Sequence, residues 1–203
     1  MRDSRRSGRR AITPAGHKSG AGDTAGTADP ESVARLICLR LLASAPKTRA
    51  QLAAAMRRRR VPDDAADAVL ARFAEVGLID DAMFARAWVE SRHHGRGLAR
   101  RALAAELGQR GVASDEVSAA VAGLSPETEL ATARALVQRR LASTAGDPPL
   151  ARTRKLVGVL ARKGYPAGMA YRVVREALEQ AGEDPLLHGL DDAVVESDPA
   201  DGW

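Results

Sequence analysis

Apolar side chains between residues 31 and 181 recur at helical spacing, in runs of about helix length separated by short polar or glycine-bearing turns. Val33, Leu36, Ile37, Cys38, Leu39, Leu41 and Leu42 predict a first helix over about 31–44, apolar on more than one face and so central to its surroundings. Asp29-Pro30-Glu31 marks its start: an N-cap acid, a proline suited to the first turn and a glutamate near the positive end of the dipole. Thr48-Arg49-Ala50-Gln51 fits a capping box, and the helix it opens carries Leu52 and Met56 inward before ending in Arg57–Arg60. A third helix, from Pro62 to about Val76, points Ala66, Val69, Leu70 and Phe73 inward and stops at the turn Gly77-Leu78-Ile79-Asp80.

The same punctuation then returns. Leu52, Met56 and Val61 align with Leu103, Leu107 and Val112 at a shift of 51 residues, and with Leu156, Leu160 and Tyr165 at a further 53. Such self-similarity predicts an all-α fold: three tandem three-helix repeats in an elongated curved array, at 31–80, 81–124 and 125–181. The first helices of the copies are expected at about 31–44, 82–93 and 126–142, and the third helices at about 62–76, 114–123 and 166–181. Ser125-Pro126-Glu127 opens the last copy in the cap-proline-acid order of the first. Gly111-Val112 and Gly164-Tyr165 read as Schellman-type stops, in which glycine takes the left-handed position. The first copy has Arg60-Val61 there, a departure expected to strain the turn. In the central stretch Phe84, Ala85, Trp88 and Val89 share one helical face, which predicts that Trp88 lies in the core.

Composition supports helices: aromatic residues are 3% of the 203, and a core of Ala, Leu and Val packs closely without a sheet. Charge is segregated. Residues 31–182 hold 25 basic and 16 acidic groups, a balance of +9, whereas 183–203 hold seven acids and no base. A field of that sign attracts polyanions, nucleic acid above all, or a protein that carries it. Residues 1–29 read as a disordered basic tail and 183–203 as a disordered acidic one, able to fold back on the basic surface. Cys38 is a lone cysteine inside an apolar run, and no run is long enough to span a bilayer, so a cytoplasmic protein without membrane partners is expected.

Enzyme signatures are scarce. A phosphate-binding glycine loop and a zinc-spaced Cys/His set are both missing, and His93 and His94 read as a solvated helix end. Catalytic residues, metals and cofactors are therefore not expected. The basic clusters say more: Arg57 and Arg58 in the last turn of one helix; Arg92, Arg96, Arg100 and Arg101 around the central turn; Arg152, Arg154, Lys155, Arg162 and Lys163 on the polar side of the last middle helix. Cations in a last turn also complement the helix dipole, a purely structural role. Because the clusters occupy comparable places in successive repeats, stacking would align them into one basic stripe.

The central run Asp81, Phe84-Ala85, Trp88-Val89, Arg92, Arg96-Gly97, Glu106-Leu107 and Gly111-Val112 resembles the signature of the bacterial regulatory protein RecX family, and the three-copy layout agrees. The resemblance implies a non-enzymatic cytoplasmic modulator of the RecA recombinase. Such a protein would lie as a monomer along the RecA filament on single-stranded DNA and inhibit ATP hydrolysis and strand exchange, with consequences for DNA repair and the SOS response. From the residues alone a different class stays open: three-helix units are also the form of helix-turn-helix transcription regulators, which read duplex sequence in the major groove.

Overall fold

The computed structural model describes residues 29–182; the expectations for the two tails lie outside them. Helices α1 (Pro30–Ser44), α2 (Arg49–Arg58) and α3 (Asp63–Glu75) are followed by α4 (Asp81–Arg96), α5 (Arg100–Gln109) and α6 (Ser114–Ala122). Then come α7 (Pro126–Leu141), a 3-10 turn at Ala142–Thr144, α8 (Pro149–Ala161) and α9 (Ala167–Gln180). No strand occurs among the described residues.

Three cores account for the order. Ala34 and Cys38 of α1 meet Leu52, Met56, Leu70 and Phe73; Ala85 and Val89 of α4 meet Leu103, Leu107 and Val117; Ala133 and Val137 of α7 meet Leu156, Leu160, Val173 and Val174. The small residues at the first of these positions let each opening helix approach its partners closely. Burial pushes the Cys38 thiol above its ordinary range, which leaves it a core residue rather than a nucleophile. The local start signals form as written: Asp29, Thr48 and Ser125 cap their helices through side-chain oxygens, and Thr48 with Gln51 completes the capping box.

All three middle helices end in the same Schellman geometry. The apolar residue's N–H reaches back to the helix at Val61→Met56, Val112→Leu107 and Tyr165→Leu160, at 3.2, 3.3 and 3.2 Å. The residue before it is left-handed in each case: Arg60 at φ 58°, Gly111 at 75° and Gly164 at 85°. Arg60 keeps the conformation without the residue that suits it, and the reason lies in how the repeats meet.

A Cβ on Gly111 would fall 2.4 Å from the Cβ of Ala50, and one on Gly164 would fall 2.7 Å from the backbone N of Ala102. The C-terminal turn of each later middle helix thus abuts the N-terminal turn of the preceding one, negative dipole end to positive. Hydrogen bonds repeat the pattern: Thr48 Oγ1 donates to Arg110 O at 2.7 Å, and Ala99 N donates to Lys163 O at 2.9 Å. An acid on the next repeat's opening helix also accepts from the first turn of the middle helix, with Arg49 N donating to Asp81 Oδ1 and Arg100 N to Glu129 Oε1, both at 2.9 Å; for α5, whose Ala99 offers no side-chain cap, this is the cap. Arg60 ends the first middle helix, and among the described residues no earlier repeat packs against it, so no close contact there demands glycine and the side chain stands exposed.

Candidate functional site

The junction of the second and third repeats brings together Arg96, Arg100, Arg101, Arg162 and Lys163. Arg96 and Arg101 are exposed, as is Arg162 at the end of α8. Lys163 Nζ donates to Arg96 O, which ties the end of α8 to the end of α4. Arg100 Nε reaches Glu129 Oε2 at 2.9 Å, and Glu129 is only 2% exposed, so Arg100 compensates a buried carboxylate as well as presenting an edge to solvent. Tyr165 stands behind these groups, its hydroxyl donating to Gly97 O at 3.2 Å. Burial first, then the Glu129 charge, push the phenol up to about 12.

His93 fastens the same junction. It is buried, not solvated as its place at a helix end suggested. A carbonyl only accepts, so Nδ1 carries a proton toward Leu98 O at 2.9 Å, while Nε2 meets Thr132 Oγ1 of α7 at 2.8 Å. His94 is exposed, which agrees with adjacent side chains diverging around a helix.

The other candidates divide. Arg57 and Arg58 are exposed at the free end of α2, away from that junction. Arg154 and Lys155 are exposed on α8, where Lys155 pairs with Asp147 at 2.6 Å. Arg152 is a correction: it is 4% exposed and lies inside the third repeat. Its Nε donates to Thr144 Oγ1 at 3.2 Å and its guanidinium to Leu141 O at 3.0 Å, so it closes the 3-10 turn instead of facing a partner. Helical periodicity alone could not separate it from Arg154, because the turn that consumes it has no apolar signature.

Arg92 is half-buried, 3.7 Å from Glu106 and with its guanidinium 4.1 Å above the Trp88 ring. Arg110, which the sequence reading passed over, lies 3.7 Å from the same ring and donates to Glu106 O at 2.8 Å. Its signal was its place: Arg59, Arg110 and Lys163 are equivalent, each just before the left-handed residue. Trp88 itself is half-buried and not in the core; Ala85 and Val89 fill that place, while the indole N–H bonds Glu106 Oε2 at 2.8 Å.

Acids flank one side of the first junction. Asp67, Asp80, Asp81, Asp115 and Glu116 line one groove with Arg49, and burial followed by the charges of Asp81 and Asp115 raises Glu116 above its ordinary value. Among the described residues no group of His, Cys, Asp and Glu could hold a metal ion. No described helix is long and apolar enough to cross a membrane.

Fold and surface together define a helical-repeat scaffold of three stacked three-helix units, with the exposed cations Arg96, Arg101 and Arg162 at its second junction. The patterns of the first, second and third three-helix domains of RecX match residues 34–73, 80–121 and 127–174. The chain belongs to the RecX family of regulatory proteins. It is 64% identical over 164 residues to the regulatory protein RecX of Thermobifida fusca, covering 79% of this chain and 89% of that one. Its identity to that of Streptomyces coelicolor is 60% over 156 residues, 77% of this chain and 83% of the relative. The crystal structure of RecX from Lactobacillus salivarius superposes with a TM-score of 0.68 at 16% identity over 73% of this chain and 96% of that one, a likeness of fold.

Proposed function

We propose that this protein binds the RecA filament on single-stranded DNA and inhibits its ATP hydrolysis and strand exchange, thereby modulating DNA repair and the SOS response. The observation that carries the reading is family membership across all three repeats, each matched in order. The exposed arginines at the junction of the second and third repeats supply a physical means, since a helical polyanionic filament repeats its charge along an axis as the scaffold repeats its helices. Bridging neighbouring protomers would obstruct the movements that accompany nucleotide turnover, with no reaction centre required in the regulator. It acts as a monomer in the cytoplasm, with DNA met directly or through RecA.

The test is RecA ATPase and strand exchange on single-stranded DNA, with and without the protein. Inhibition at less than one copy per recombinase protomer is expected. No effect on a cognate RecA overturns the reading, and tight preference for one duplex sequence, by roughly a thousandfold over others, would instead identify a helix-turn-helix regulator.

A further inference from the structure

The two junctions are built alike but finished differently. Ala85 and Val89 of α4 correspond to Ala133 and Val137 of α7, all four buried, so Phe84 and Trp88 correspond in register to Thr132 and Leu136. At the second junction those positions are closed against the preceding repeat. Thr132 bonds His93, and Leu136 covers Gly97 so tightly that a Cβ there would lie 3.0 Å from its Cδ1. At the first junction Phe84 and Trp88 instead line an open groove of about 570 Å³, together with Leu42 and Pro46 of the first repeat and with Met83 and Arg110.

The groove is apolar where solvent reaches it: Met83 is 58% and Leu78 50% exposed. Its polar groups are nearly all engaged. Asp80 accepts from Met83 N as the cap of α4, and Trp88 Nε1 is taken by Glu106. Lys47, half-buried on the rim, has no ion-pair partner among the described residues. A nucleobase does not fit this description. The guanidiniums of Arg92 and Arg110 sit 4.1 and 3.7 Å from the Trp88 ring centroid, and Phe84 stacks on it at 5.7 Å, occupying the positions over the ring that base stacking requires. What remains is an edge of indole beside a thioether and aliphatic walls, the lining that holds an aliphatic or aromatic side chain.

We infer that this groove is a protein-docking pocket, taking an apolar side chain from a segment of the partner that carries a carboxylate next to it, with Lys47 and Arg110 receiving the carboxylate. The inference rests on the filament reading above, and the occupant is protein, not nucleic acid. It assigns the partner protein to the first junction and leaves the exposed arginines of the second to the filament's polyanionic face.

Three measurements test it on the full chain with RecA filaments on single-stranded DNA. Met83→Glu places a negative charge at the mouth, in the first turn of α4 where the dipole favours it; it should keep the melting temperature and weaken filament binding at least about tenfold, as should Lys47→Glu. Ser91→Cys carries an exposed thiol on the groove wall while Cys38 is buried, so a benzophenone maleimide labels it selectively. On irradiation it should cross-link to a RecA peptide holding an apolar residue beside Asp or Glu. Wild-type affinity in Met83→Glu with intact wild-type binding overturns the groove and spares the filament reading. Cross-links to DNA alone, or to residues 183–203 of this chain, also overturn it by naming another occupant. Absence of binding by the wild type removes both readings.

Discussion

Gly111 lies so close to Ala50 that a methyl group on it would sit 2.4 Å from the Ala50 Cβ, and this contact sets how closely the second repeat seats on the first. Gly111→Ala therefore carries two penalties: a left-handed backbone, about 1–2 kcal/mol, and an overpacked contact, about 1–3 kcal/mol. Chemical denaturation should show a loss on the order of 3 kcal/mol. Adding Ala50→Gly should recover the packing part only, and strictly additive losses in the double variant would mean that the two residues do not press on each other.

Arg60 provides the reverse case. It holds the same left-handed geometry at φ 58° with an exposed side chain and, among the described residues, no earlier repeat against it. Arg60→Gly removes the left-handed penalty and adds unfolded-chain entropy, a net gain of up to about 1 kcal/mol. A lower melting temperature in this variant would show that the Arg60 side chain makes a stabilising contact.

Legibility in the sequence followed the range of the interaction. Caps and stops act within five residues, so Asp29, Thr48, Ser125, Gly111 and Gly164 could be assigned from neighbours alone, and they anchor the helices as expected. The α4 helix runs to Arg96 rather than ending near 93, because the glycine that takes the left-handed position is Gly97, not Gly95. Interactions across repeats were hidden. Thr48 looks like an ordinary capping residue, yet its hydroxyl accepts from Gln51 N and donates to Arg110 O, 62 residues away. Trp88 fell on an apolar face by periodicity, but periodicity does not separate a face that meets its own repeat from one turned toward the preceding repeat. The basic surface was legible as composition and not as geometry: charge cannot show that Glu129 is buried beneath Arg100 or that Arg152 is spent on a turn.

Tyr165 makes stability depend on pH in the alkaline range. Its folded value of about 12 lies above the ordinary value near 10, so the neutral phenol is the form the fold retains. The contribution is fully present below pH ~10 and lost between pH ~10 and ~12, at about 1.4 kcal/mol per unit, as the unfolded chain ionises first. Tyr165→Phe should cost about 1–3 kcal/mol at neutral pH because Gly97 O loses its donor. The gap between the variant and the wild type should close as pH rises from 10 to 12. A gap constant over that window would mean that the phenol titrates freely in the folded protein.

Separating contact from support among the arginines decides whether the basic junction meets the filament. Replacing Arg100 is unsuitable for that purpose: it would leave Glu129 buried without its charge partner and cost on the order of 2 kcal/mol, confusing lost binding with lost structure. Arg152→Ala is worse, since Leu141 O and Thr144 Oγ1 lose a buried donor; about 2–4 kcal/mol of destabilisation is expected, with residual binding reduced only as far as the third repeat unfolds. Arg96, Arg101 and Arg162 are exposed, and none of their side chains is spent on a buried acid. Arg96→Ala with Arg101→Ala and Arg162→Ala should therefore change stability by roughly 0.5 kcal/mol or less per site while weakening inhibition of RecA ATPase. If the three cations meet phosphates, the slope of log affinity against log salt should also flatten, by up to about 2 for single-stranded DNA, because fewer counterions are released. Unchanged inhibition and an unchanged salt slope in this triple variant would place the filament contact elsewhere on the array.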